Sequence, residues 1–376
     1  MDRSKIALII VVSLLLGIGV VMIYSTSAIY AGENYNDSYF YLKKQVAWAL
    51  IGVLLMAVFA MVDYHFLRTL SIPLLFLSTF LLMLVFVPGF GREAGGAKRW
   101  LSIASFSFQP SEFTKFALIV YLADFLARNQ ARIRELWKGF FLPISIVLLN
   151  MVLVVIQPDL GTTVLLGLVI FVLLFVAGMR ISYLVTVALA SLPVLYAVIF
   201  KSAYRRSRIL IFLDPWKDPQ GTGFQIIQSW IALSSGGVFG LGLAQSRQKF
   251  FYLPEAHTDF IFSIIGEELG LIGTLAILAL FLVLVIAGMR IAWKAPDLYG
   301  NLLASGIVAL ISFQAIINIG VVTGTFPTKG LPLPFISFGG SNLLVNIVGI
   351  GVLLNIARHS TSRRLKKREV SVLGPF

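Results

Sequence analysis

Long apolar runs broken by short polar stretches set the pattern of this chain. Ten of them approach the length of about 20 residues that a helix needs to cross a bilayer. They fall at approximately 6–29, 46–62, 67–87, 110–127, 140–156, 162–178, 181–200, 260–289, 300–322 and 342–357. The first is too long for a secretory leader and lacks a small-residue cleavage site, which predicts a retained helix. A long polar stretch, 201–258, separates the seventh run from the eighth. Within it, residues 223–235 set Phe224, Ile227, Trp230 and Ile231 at helical spacing, with Gln225, Gln228 and Ser229 elsewhere on the wheel. That pattern predicts a helix lying in the membrane interface, ended by Gly236, Gly237, Gly240 and Gly242. No short-period repeat and no inverted repeat of the transporter kind is visible. The expected fold is an all-α polytopic membrane protein, a bundle of ten transmembrane helices over residues 1–357. Residues 358–376 read as a flexible, basic, membrane-skimming tail.

Composition narrows the function. Of 376 residues, 58% are hydrophobic and only 12% charged, about half the share of a soluble domain. Mean hydropathy is +0.92. A soluble enzyme, a disordered chain and a disulfide scaffold are excluded. The absence of cysteine excludes thiolate catalysis and thiolate-bound zinc. Three histidines, His65, His257 and His359, argue against a histidine-rich metal site.

Lys and Arg number 30 against 17 acids. With the N-terminus inside, sixteen basic residues fall in cytoplasmic segments, among them Arg128, Arg132, Arg134 and Lys138 and the stretch 358–368. Six fall in short outer loops: Lys43, Lys44, Arg92, Lys98, Arg99 and Lys329. The bias places both termini in the cytoplasm, and it explains most of the basic excess without a nucleic-acid partner. The 201–258 loop then lies outside, yet carries Lys201, Arg205, Arg206, Arg208, Lys217, Arg247 and Lys249. Long loops escape the charge rule, so a solvated loop and a platform for an anionic ligand weigh equally.

Charges inside membrane segments are costly and point to function by default. The fourth run opens QPSEFTKF at 109–116, with Glu112 and Lys115 on one helical face. They are either a structural ion pair or the outer mouth of a cavity where Lys115 meets a phosphate. In QPDLGTT, at 157–163, Asp159 is placed to cap a helix starting near Thr162. The stretch LPEAHTDFIFSIIGEELG, at 253–270, holds Glu255, His257, Asp259, Glu267 and Glu268. Asp259 stands at the outer start of the eighth run as a helix cap or, partly desolvated, as a general base. Glu267 and Glu268, two turns deeper, read as bundle-stabilising. The loop TGTFPTKGLPLPFISFGGSN, at 323–342, carries three prolines and four glycines among apolar residues, so it tucks back into the bundle. Gly339, Gly340 and Ser341 form either a plain turn or an anion site.

Jointly, AKRWL (97–101), QPSEFTK (109–115), QPDLGT (157–162), FLDPWKDPQGTGFQIIQS (212–229), SSGG (234–237), LPEAHTDFIFSIIGEELG (253–270) and PTKGLPLPFISFGGSN (327–342) resemble the SEDS family (RodA/FtsW/SpoVE) of cell-wall polymerases. The style of 246–260 and of PTKG is nearest the cell-division branch. Asn342 stands where many relatives have a second serine.

The resemblance implies a peptidoglycan glycosyltransferase of the cytoplasmic membrane that polymerises lipid II at the outer face of the division septum. A class B penicillin-binding protein and other divisome membrane proteins are the implied partners, and Mg²⁺ or Mn²⁺ the implied cofactor. It puts the essential aspartate at Asp259. Glu112, Lys115, Arg208, Lys249, Glu255, His257, Lys329 and Ser341 are the candidate substrate contacts. The alternatives are an elongation or sporulation polymerase, a lipid II flippase, and an ion-coupled transporter using Asp124, Glu267 and Glu268.

Overall fold

The computed structural model describes residues 3–94, 97–103, 106–133, 135, 141–250 and 252–373. Arg134 and Lys138 lie outside the described residues. Each predicted apolar run falls on a helix: α1 (Arg3–Tyr35), α2 (Phe40–Met61), α4 (Ser71–Leu84), α5 (Pro110–Arg128), α6 (Leu142–Ile156), α7 (Leu160–Val176), α8 (Ile181–Phe200), α11 (Ile261–Trp293), α12 (Leu298–Val322) and α13 (Gly340–Leu373). Three more helices lie between them: α3 (His65–Thr69), α9 (Ala203–Leu213) and α10 (Phe224–Ser235). Among the described residues, six helices are long and apolar enough to cross a membrane.

The helix starts follow the sequence. Pro110 occupies the first turn of α5, where its missing N–H is no loss. Asp159 caps α7 by accepting the Thr162 N–H at 3.0 Å, and Asp297 caps α12 through Gly300 N–H at 2.8 Å. α12 is the central post, buried on nearly every side against α5, α7 and α11. α8 is the opposite case, with Ile181, Leu189, Leu192, Val194 and Tyr196 all exposed. Apolar surface on that scale is disposed of in lipid.

Three features depart from the expected fold. Three strands, β1 (Gly91–Ala94), β2 (Ala97–Ile103) and β3 (Phe106–Phe108), form an antiparallel sheet ordered β1-β2-β3. The stretch is short and lacks clean alternation, so periodicity does not announce it. The basic tail is not an extended end, because α13 continues without interruption to Leu373. Finally, α10 packs on the bundle instead of lying only on lipid. Ile226, Ile227, Ser229 and Ala232 are buried, and Ser229 donates to the Val322 carbonyl at 2.7 Å.

α11 breaks at Gly270 (φ 67°). The glycine-rich turn after α10 repairs the break. Leu241 and Gly242 N–H donate to the carbonyls of Glu267 and Glu268 at 2.9 and 3.0 Å, while Leu271 and Ile272 N–H donate to Gly237 and Val238 at 2.9 and 3.2 Å. Backbone groups freed by the kink thus find partners in the loop. A Cβ at Gly270 would stand 2.3 Å from Gly240 N, so no other residue fits.

Candidate functional site

At the end of the bundle where α5, α7, α11 and α13 begin, five pieces of chain converge. They are β2, the turn before α7, α9, the 253–260 segment and the 323–339 loop. Asp259 is at their centre. It precedes α11 without capping it, since Phe260 holds the cap position and makes no side-chain cap bond. Its main chain is pinned instead. The buried Asn318 amide donates to the Asp259 carbonyl at 2.8 Å and to the Leu331 carbonyl at 2.7 Å. Gly330 lies against the carboxylate, and a Cβ there would be 2.7 Å from Asp259 Oδ2. The backbone is therefore fixed while the half-buried carboxylate stays available.

The electrostatics suit proton abstraction. Burial, reinforced by Glu255, pushes the Asp259 carboxyl up to about 7; Arg208 and Arg99 pull it down and Asp159 adds to the rise. Lys329 shares this environment. Burial brings it down to about 8, Asp159 opposes that, and Arg208 and Arg205 reinforce it. Arg208 Nη1 donates to the Thr328 carbonyl at 3.1 Å. Arg99 reaches from β2 to the carbonyls of Gln157 and Pro158 at 3.0 and 2.7 Å, and Arg205 to those of Val198 and Val155 at 3.1 and 3.3 Å. A carboxyl poised near neutrality thus sits beside Arg208 and Arg99, in a charge cluster that also holds Arg205 and Lys329.

The other predicted residues separate into three groups. Glu255 and His257 flank the centre. Glu255 is exposed, with φ of 58°, and its carboxylate accepts the Thr258 hydroxyl at 2.7 Å. The His257 ring stands 4.5 Å from that of Tyr41, and burial lowers its pKa. Glu112 and Lys115 form an ion pair at 2.7 Å with side chains 3% and 0% exposed. Asn342 donates to the same Glu112 oxygen at 2.8 Å. The pair is thus enclosed by helices and not displayed at an open mouth, and the Asn342 amide takes up the glutamate. Ser341 accepts the Gln109 N–H at 3.1 Å, which ties the start of α5 to that of α13.

Lys249 requires a correction. Its ammonium is buried and paired with Glu268 at 3.1 Å, so its charge is spent inside the loop. Glu268 also accepts the Ser25 hydroxyl at 2.7 Å, and Glu267 accepts the N–H of Arg247 at 2.8 Å. Both glutamates clamp the 246–249 turn. Asp124 is paired with Arg68 and Arg128 at 2.9 and 2.6 Å, at the other end of the bundle. None of the three is left to carry an ion through the membrane.

Sequence reasoning missed Arg99, Asn318 and Gly330 as parts of the centre. Asn318 is the one that left a trace, an amide inside an apolar run. Among the described residues no three His, Asp or Glu side chains are arranged to hold a metal ion. Both Asp159 oxygens are engaged by Thr162, and the neighbouring cations oppose a further one. The donor set does not fit Mg²⁺ or Mn²⁺.

Comparison with known proteins agrees with this picture. A profile for the FtsW/RodA/SpoVE family, described as cell cycle proteins, matches residues 5–362. A probable peptidoglycan glycosyltransferase FtsW from Geobacter sulfurreducens is 48% identical over 358 residues, 95% of each chain. Stage V sporulation protein E of Bacillus subtilis is 49% identical over 354 residues, 94% of this chain and 96% of its own. Among solved structures, a chain of a peptidoglycan synthase complex that coordinates polymerization and crosslinking superposes with a TM-score of 0.77 at 32% identity, covering 94% of this chain and 97% of that one. The rod shape determining protein RodA of Thermus thermophilus gives 0.69 at 27% identity, covering 94% and 96%. This multi-pass membrane protein belongs to the FtsW/RodA/SpoVE family.

Proposed function

We propose that the protein is a peptidoglycan glycosyltransferase that polymerises lipid II in septal wall synthesis, working at the outer face of a membrane crossed ten times with both termini in the cytoplasm. The observation that carries the reading is the Asp259 centre: a carboxyl fastened by Asn318 and Gly330, raised to about 7 by burial, with Arg208 and Arg99 acting on it and Lys329 in the same charge cluster. Asp259 takes the proton from the 4-hydroxyl of an acceptor N-acetylglucosamine. That oxygen attacks C1 of a lipid-linked N-acetylmuramic acid. The C1–O bond to phosphate breaks, the electron pair leaves with undecaprenyl diphosphate, and inversion forms the β-1,4 bond. Arg208 and Lys329 face the leaving group's growing charge, a role that preorganised cations fill at low cost in a dry site. No second carboxylate acts as nucleophile.

An apolar cleft of about 400 Å³ between α2, α4, α5 and α13, lined by Phe66, Leu70, Leu74, Phe108, Phe113 and Phe116, suits a polyprenyl chain. Glycan crosslinking falls to a class B penicillin-binding protein, in keeping with the synthase complex that this chain resembles. The 49% identity to a sporulation protein favours a second setting for the same chemistry, the spore wall. Depletion in the native host separates the two, since filamentous cells indicate division and failed spores with normal division indicate sporulation.

The test is polymerisation of purified lipid II by the purified protein with its partner. Asp259→Asn is expected to lower the rate by about 10²–10⁴-fold, the range for a lost general base. Near-normal activity would remove Asp259 from that role. Strand synthesis in detergent, where no leaflets exist, rules out a flippase as the sole function.

A further inference from the structure

Beside the Asp259 segment stands a group of aromatic rings that the reaction scheme does not use. Tyr35 and Phe40 stack at 4.0 Å with 7° between their planes, and Tyr24 and Tyr39 at 5.4 Å with 10°. Tyr41 supports the first pair edge-on, 5.9 Å from Tyr35 and 5.2 Å from Phe40. The link to the site is His257, two residues from Asp259. Its ring lies 4.5 Å from Tyr41 and 5.7 Å from Tyr30. Tyr41 is 9% exposed, but Tyr35 and Tyr39 are 48% and 50% exposed, so ring surface is open on the far side of the support.

Two observations distinguish this cluster from a belt of interfacial aromatics. First, α1 has 33 residues, about 50 Å at 1.5 Å per residue, against a hydrocarbon core of roughly 30 Å. Its last turns, with Tyr30 and Tyr35, extend past that core. Second, the rings alternate with Glu33, Asn34, Asn36, Asp37 and Ser38, and Asp37 is held by Lys43 at 2.8 Å. Flat π-faces flanked by carboxylate, amide and hydroxyl groups form the chemistry that receives a sugar chain. The C–H face of a pyranose lies on the negative face of the ring, and the flanking polar groups take its hydroxyls.

We infer that Tyr35, stacked on Phe40 and backed by Tyr41, forms a carbohydrate subsite that holds the β-1,4-linked amino-sugar strand as it leaves Asp259. The strand is the occupant because Tyr35 and Phe40 are continuous with the Asp259 segment through Tyr41 and His257. This deepens the polymerase reading and rests on it.

The experiment is calorimetric titration of the full-length protein in detergent with a soluble β-1,4-linked N-acetylglucosamine–N-acetylmuramic acid oligomer lacking lipid. Tyr35→Ala is expected to weaken binding about ten-fold, or about 1.4 kcal/mol, and Tyr39→Ala, in the separate Tyr24 pair, to leave it unchanged. Tyr35→Trp is expected to keep it, and Tyr35→Ala to make shorter strands from lipid II. Both positions are half exposed, so folding is not at stake. Unchanged affinity in Tyr35→Ala overturns the inference, as does a wild type that binds no oligomer. Activity lost only in vesicles, with oligomer affinity intact, would assign the rings to lipid and also overturn it. The two readings fail separately. A wild type that makes no strands from lipid II sinks the polymerase, whereas oligomer titration still reports on the rings.

Discussion

At the residue scale, the proposed reaction depends on how Asp259 is held. As its general base Asp259 must be ionised, so the rate is expected to rise through about pH 7. Lys329 loses its charge above about pH 8, which sets the falling limb. A pH–rate profile of strand synthesis measures both. Lys329→Arg, whose guanidinium stays charged, is expected to move the falling limb upward while leaving the rising one. The stability consequence has the opposite sign to activity. A carboxyl raised in the folded state favours folding below its unfolded pKa of about 4 and loses that contribution as pH climbs to about 7. The supports are open to test as well. Asn318→Leu leaves two buried carbonyls without a donor, a cost of about 1–3 kcal/mol each. Gly330→Ala forces its methyl against Asp259 Oδ2. Both variants are expected to lower kcat more than they raise KM; normal kcat in a folded Gly330→Ala protein would remove the packing argument. The place of Asp259 at the start of an apolar run was legible from its setting of membrane-type residues. Its fastening was not, because Asn318 is 59 positions away and a glycine offers no chemistry to notice.

At the element scale, α11 and the turn after α10 form one unit. Gly270→Ala places an ordinary residue at φ 67° and against Gly240, a strain of order 1–3 kcal/mol before the clash is counted. A lowered melting temperature and proteolysis near 236–249 are the expected results. Lys249→Ala strips Glu268 of its buried partner, which costs about 3–5 kcal/mol. The thermal stability of that variant is expected to drop while the lipid II KM of the folded fraction holds. A raised KM at full stability would return Lys249 to the substrate. Helical periodicity revealed α10 and the ten apolar helices. It did not reveal which side of α10 meets protein, because Ser229 is buried through a bond to a carbonyl 93 residues away.

At the scale of the whole molecule, charge divides between two ends. Asp259, Arg99, Arg205, Arg208 and Lys329 gather at one; Asp124, Arg68 and Arg128 lie at the other. The absence of cysteine makes sidedness easy to measure. Lys98→Cys and Arg132→Cys, both at exposed positions, are expected to react with a membrane-impermeant thiol reagent in intact cells and only after lysis, respectively. The reverse pattern would invert the topology and move Asp259 to the cytoplasm.

The sequence by itself determined the class, the ten apolar helices and the family. These depend on local quantities, namely run length, charge bias and short motifs. Tertiary structure alone decided which charges are free. Lys249 and Lys115 look alike as intramembrane lysines near a proposed anion, yet both are matched to glutamates within the bundle. Arg99 looks like an ordinary loop residue, yet its charge acts on Asp259. Burial and pairing arise from contacts between segments far apart in the chain, and no local pattern carries that information.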